Sequence, residues 1–197
     1  MQSLAAKPFL LDIHSITLRV THEEFEMLCQ DNPELRLELT ANGELITMVP
    51  VALESSEQNG DLFGEVWAWN RQTRLGRAFD SSGGFTLPNG AVKSPDVTWI
   101  GKPTADELPR GVTFPELVPD FVIELRSQSD SLKTLREKME EYRANGVRLG
   151  WLINPQQQQV EIYRLGRDVE ILESPATLSG EDVLPGLAMD LSSIFES

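Results

Sequence analysis

Between Phe121 and Ile153 two uninterrupted apolar runs, FVIEL and LGWLI, flank one long charged segment, and no other feature of the chain constrains its folding as tightly. The segment 131–145 carries Leu132, Leu135, Met139 and Tyr142 at helical spacing, and Gly146 supplies a stop. Strand, amphipathic helix, strand is a unit that needs a sheet at its centre with the helix packed on it. The first run ends in an acid, Glu124. A carboxylate buried alone is desolvated and tends to neutralise unless a cation or hydrogen-bond donors compensate it.

The remainder reads as shorter elements around that unit. THEEFEMLCQ predicts a helix, with Thr21 as N-cap and Glu24 completing a capping box. LRLEL and ELITMV alternate about Ala41-Asn42-Gly43 as a β-hairpin. Residues 55–75 form a longer helix with Leu62, Phe63, Val66, Trp67 and Trp69 on a broad apolar face, stopped by Gly76. Short strands are expected at Arg77–Asp80, Phe85–Leu87 and Asp96–Ile100, then a proline-rich loop to Pro119 with at most one helical turn. After Ile153, Val160–Tyr163 and 168–172 read as strands, and Leu191–Phe195 as a short helix. No linker divides the chain, so residues 1–197 are expected to form a single mixed α/β domain with an N-terminal helix and hairpin extension.

Charge restricts function. The 197 residues carry 17 Lys+Arg against 31 Asp+Glu, a formal −14, which opposes general electrostatic coating of nucleic acid or an anionic membrane. The distribution is uneven. Residues 12–65 hold 12 acids and 2 bases, and residues 149–197 hold 8 and 2, whereas 126–148 hold 6 bases and 4 acids. An anionic substrate is best tolerated in the middle of the chain and in 126–148. The single Cys29 excludes an intrachain disulfide or a cysteine zinc cluster. No segment reads as a secretory leader, and none approaches the roughly 20 apolar residues that span a bilayer. A cytoplasmic, non-membrane setting is expected. With only His14 and His22 available, a metal site would be mainly oxygen-liganded.

Asp96, in SPDVTWI, and Glu124 are acids in apolar strands. At the ends of neighbouring strands they could share a hard divalent cation; equally, each could pair with a base or cap a turn. On a helical wheel Lys138 lies at the edge of the apolar stripe beside Tyr142, while Arg136 and Arg143 take the opposite edge. The wheel permits Lys138 without selecting it.

SPDVTWI, followed by PDFVIELRSQSDSLKTLREKMEEYRANGVRLGWLINPQQQQVEIYR, resembles the Uma-type family of restriction-endonuclease-like proteins, within the PD-(D/E)xK nuclease superfamily. The resemblance runs from about Leu35 to the C-terminus and includes the ELTANGELI hairpin, FDSSGGFTLPNGAVKSPD and LSGEDVLPGL. It implies an α/β (α+β) restriction-endonuclease-like core, a central mixed β-sheet flanked by helices. It also implies a catalytic trio: Asp96 and Glu124 as acids holding Mg²⁺ or Mn²⁺, and Lys138 to position or deprotonate a water. The superfamily lysine position, two residues after the second acid, is Arg126 here, and Lys138 matches a lysine moved to the following helix. Where many members carry a histidine early in the long helix, this chain has Asn59.

Arg126 is read either as a phosphate clamp or as the neutraliser of Glu124. Ser127 and Ser129 are read as phosphate contacts, with Ser129 or Asp130 alternatively capping the helix. Glu38 and Glu44 are read as solvated hairpin acids, with an extra metal ligand as the alternative for one of them, His14 and His22 as surface residues, and the four tryptophans as core or interface anchors. The expectation is a Mg²⁺-dependent endonuclease, a homodimer acting on DNA. The alternatives are a catalytically inactive nuclease-fold binding or regulatory protein and, last, a glycosidase, for which Lys138 has no use.

Overall fold

The computed structural model describes residues 17–48, 50–102 and 104–195. Helix α1 (His22–Asp31) is followed by strands β1 (Arg36–Leu39) and β2 (Leu45–Met48), then α2 (Leu53–Thr73). Next come β3 (Gly76–Asp80), β4 (Phe85–Thr86), β5 (Val92–Lys93), β6 (Val97–Gly101) and β7 (Phe121–Leu125). Helix α3 (Leu132–Ala144) leads to β8 (Leu149–Asn154), β9 (Gln159–Arg164), β10 (Glu170–Glu173), β11 (Thr177–Ser179), β12 (Ala188–Asp190) and α4 (Ser192–Phe195).

A six-stranded sheet in the order β10-β9-β8-β7-β6-β3 forms the centre. β7 and β8 pair in parallel, as the crossover through α3 requires, and every other neighbouring pair is antiparallel. This is the expected mixed sheet. Helix α2 covers one face through Leu62, Val66 and Trp69, with the C-terminal strands and α4 beside it. Helix α3 covers the other through Met139 and Tyr142. A smaller sheet, β2-β1-β5-β4, stands over the α3 side, held to α1 by Phe25, Leu37, Leu39 and Val92.

Local chemistry explains where expectation and structure agree and part. The capping box forms: Thr21 Oγ1 accepts the Glu24 N–H, and the Glu24 carboxylate accepts the Thr21 N–H. Gly76 does not stop α2. Arg74 takes the left-handed cap at φ 55°, its N–H donating to Asn70. Gly76 instead opens β3, where a Cβ would lie 2.1 Å from the Ile100 carbonyl oxygen. Neither Ser129 nor Asp130 caps α3; Ser131 does, accepting from the Thr134 N–H. Asp130 accepts the Ser127 N–H at 2.8 Å and tightens the loop after β7. Strands β5, β11 and β12, two or three residues each, are too short for periodicity to reveal. Among the described residues no helix is long and apolar enough to cross a membrane.

Candidate active site

Antiparallel pairing sets Val97 opposite Ile123, and one further step of that register brings Asp96 opposite Glu124. The Leu125 N–H donates to Asp96 Oδ2 at 2.8 Å, fixing this carboxylate against β7. Alternation along β7 sends Phe121, Ile123 and Leu125 into the α2-side core and leaves Val122 and Glu124 facing α3.

On α3, Lys138 and Tyr142 are one turn apart and converge on Glu124. The Lys138 ammonium lies 2.9 Å from Glu124 Oε1 and 2.9 Å from Glu38 Oε1. The Tyr142 hydroxyl donates to the same Glu124 oxygen at 2.9 Å. Geometry thus singles out Lys138: Arg136 pairs with Glu161, and Arg143 with Glu140 and the Arg167 carbonyl. Glu38 corrects the sequence reading, for it is 3% exposed rather than solvated. Leu37 and Leu39 point into the α1 cluster, so Glu38 must point the other way, towards α3. There it also accepts the Ser94 N–H at 3.0 Å and lies 3.9 Å from Lys93. Lys93, itself buried, pairs with Glu141 at 3.0 Å. Glu44 stays on the surface with Arg19.

Burial pushes Glu124 up to about 7, with Lys138 opposing and Asp96 and Glu38 adding to the rise. Burial also raises Asp96, against the Leu125 N–H and Lys138. For Lys138 burial works against the charge, but Glu124 and Glu38 outweigh it and hold the ammonium above its ordinary value. Lys138 is therefore held as an ammonium between the two carboxylates.

Asp96, Glu124 and Lys138 line one cavity of about 270 Å³. Ser127, Ser129 and Asp130 line it too, and the Ser127 and Ser129 hydroxyls lie 3.1 Å apart. Its outer wall is Ile46, Thr47, Met48, Val51, Ser55 and Asn59, so the strongly acidic 12–65 segment presents only uncharged side chains there. Arg126 is not on this wall: its guanidinium donates to the Asp130 carbonyl and Asn154 Oδ1, both at 3.3 Å. Glu124 is paired by Lys138, not by Arg126. His22 is exposed and away from the cavity, and His14 lies outside the described residues. Trp69, Trp99 and Trp151 are core, whereas Trp67 is about half-exposed (48%) beneath Arg71.

The donor set fits a hard divalent cation. Lys138 and Tyr142 both bond to Glu124 Oε1, leaving Oε2 for another partner. Asn59 donates to Asp96 Oδ1 at 3.3 Å, yet its own Oδ1 is buried and accepts from none of the described residues. Among the described residues no three His, Cys, Asp or Glu side chains form a metal cage. An ion here would keep waters or take phosphate oxygens, which is the habit of Mg²⁺.

The Uma2 family, described as "Putative restriction endonuclease", matches residues 22–192, and the chain belongs to it. A solved structure from Anabaena variabilis ATCC 29413, "a putative nuclease belonging to DUF820", is similar in fold. Its TM-score is 0.71 at 21% identity, over 83% of this chain and 91% of that one. No curated protein matches.

Proposed function

We propose that the protein is a metal-dependent endonuclease that hydrolyses phosphodiester bonds, with DNA as substrate. The observation that carries this reading is Lys138, held 2.9 Å from Glu124 in the cavity that Glu124 shares with Asp96. Asp96 and Glu124 would hold Mg²⁺ or Mn²⁺. When bound, such an ion polarises a phosphoryl oxygen and lowers the pKa of water. The chain supplies the rest. Lys138, locked as a cation, orients a water through its N–H groups and offsets the negative charge that gathers at phosphorus. Glu38 and Tyr142 hold Lys138 and Glu124 in place. The Ser127 and Ser129 hydroxyls on the cavity wall contact the phosphate, and Arg126 braces their loop from behind. Homodimeric assembly belongs to this reading through the family resemblance, and sedimentation equilibrium checks it.

Incubation with supercoiled plasmid and Mg²⁺ or Mn²⁺, against EDTA, tests the proposal. Metal-dependent nicking is expected, falling at least about a hundredfold in Asp96→Ala, Glu124→Ala and Lys138→Ala. Salt-sensitive DNA binding with no cleavage under any metal would overturn it in favour of an inactive binding module. Asn59, whose amide occupies Asp96 Oδ1 where many relatives carry histidine, favours that second reading.

A further inference from the structure

A second cavity, of about 370 Å³, opens on the same sheet face and shares no lining residue with the first. β3 and β6 form its floor. Their register pairs Arg77 with Ile100 and Phe79 with Thr98, and the period of two places all four side chains on the face that carries Asp96 two residues earlier. The segment from Asp106 to Leu117 closes over it. Phe79, Phe85, Ile100, Leu108 and Leu117 make an apolar wall.

Three polar features stand out against that wall. Arg77 and Arg110 line the cavity, and neither guanidinium has a hydrogen bond or ion pair with any described residue. Asp106, the one acid on the lining, pairs with neither. The third feature is Thr98, 3% exposed at the floor, whose hydroxyl lacks any hydrogen-bond partner among the described residues. A buried hydroxyl left unpaired is a standing cost that a polar atom of a ligand would relieve.

We infer that this cavity is a second ligand site, taking a small molecule with an apolar ring body and one anionic group. The body packs against Phe79, Leu108, Val112 and Leu117, the apolar lining residues that keep accessible surface. The carboxylate or phosphate lies between the guanidinium groups of Arg77 and Arg110, whose forks suit two oxygens. The volume suits a one- or two-ring molecule and falls at the small end of ordinary ligand pockets. This inference does not depend on the nuclease reading.

Isothermal titration of the full chain with 1-naphthoate, 1-naphthyl phosphate and uncharged 1-naphthol tests it. Saturable one-to-one binding of an anionic probe, tighter than 1-naphthol, is expected, and the better-bound anion identifies the headgroup. The Arg77→Gln/Arg110→Gln double variant should bind that anion about tenfold more weakly or worse, with 1-naphthol unaffected. Both arginines are exposed, so folding is not at stake. Thr98→Val should weaken the anion while leaving the melting temperature unchanged or raised. Asp96→Asn should leave naphthoate binding intact, separating this site from the nuclease cavity. Equal affinity for anion and naphthol, no saturation at millimolar probe, or an unaltered double variant would overturn the inference.

Discussion

The two faces of the central sheet are built from the same strands and do opposite work. Towards α2, Val97, Trp99, Phe121, Ile123, Trp151, Ile153 and Val160 are all apolar and buried. Towards α3, alternate residues of those strands include Thr98, Glu124 and Glu161, likewise buried but polar or charged. Apolar burial stabilises at about 25 cal/mol per Å². A buried ion pair gives back much of its Coulomb energy in desolvation. The first face is apolar throughout, whereas the second sets Thr98, Glu124 and Glu161 among apolar Val122, Leu152, Met139 and Tyr163 and holds those charges in positions that water would not allow them to keep. The ion pairs on the surface make the same point by contrast. Lys133–Glu137 is mostly exposed and replaceable, while Lys138–Glu124 is buried within a network of hydrogen bonds.

The sharpest way to break this contrast is to cut each face in turn. Trp151→Ala removes a fully buried ring stacked edge-on against Phe121 and should cost about 3–5 kcal/mol in urea unfolding. Lys138→Met leaves Glu38 and Glu124 without their common cation and should cost about 3 kcal/mol at pH 8. That second loss should shrink towards pH 5, whereas the Trp151→Ala loss should hardly move. The sign follows from Glu124, whose carboxyl rises from 4.5 to about 7 on folding. Lys138 opposes that rise, so its loss lifts the carboxyl further; well below 7 both proteins carry the neutral acid, and the variant's extra loss grows as pH rises above about 7.

If Asp96 and Glu124 hold a cation as proposed, the same titration governs its loading. A cation needs the charged carboxylate, so Mn²⁺ affinity should climb between pH 6 and 8, releasing up to about one proton at the acid end. Calorimetry in buffers of different ionisation enthalpy counts that proton, and a pH-independent affinity would contradict the assignment of Glu124. The smallest effect is Tyr142→Phe, which deletes a 2.9 Å hydrogen bond to Glu124 Oε1. It should cost about 1 kcal/mol and move the metal-binding midpoint to higher pH, since the carboxylate loses a donor.

The strands and helices of the 121–164 region were legible because each is long enough to show its period, as were the α1 capping box and the β1–β2 hairpin. Asp96 and Glu124 stood out as acids in apolar runs. Glu38 did not. In LRLEL its alternation with leucines is that of any half-exposed strand, and only the packing of α3 over the hairpin turns its outward face inward. Lys93 was missed because β5 is two residues long. Tyr142 was visible only as part of an apolar stripe, although its spacing of four from Lys138 already put both side chains over one spot. Arg126 misled in the other direction. Its position two residues after the second acid suggested a phosphate contact, but although its N–H still donates to the Ile153 carbonyl, its guanidinium turns to the Asp130 carbonyl and Asn154 Oδ1.

Mn²⁺ titration followed by electron paramagnetic resonance, at pH 8, tests most directly whether Asp96 and Glu124 share one cation. The account predicts one Mn²⁺ per chain in the wild type and its loss in both Asp96→Asn and Glu124→Gln, with both variants still folded. Unchanged Mn²⁺ binding in either variant would contradict it.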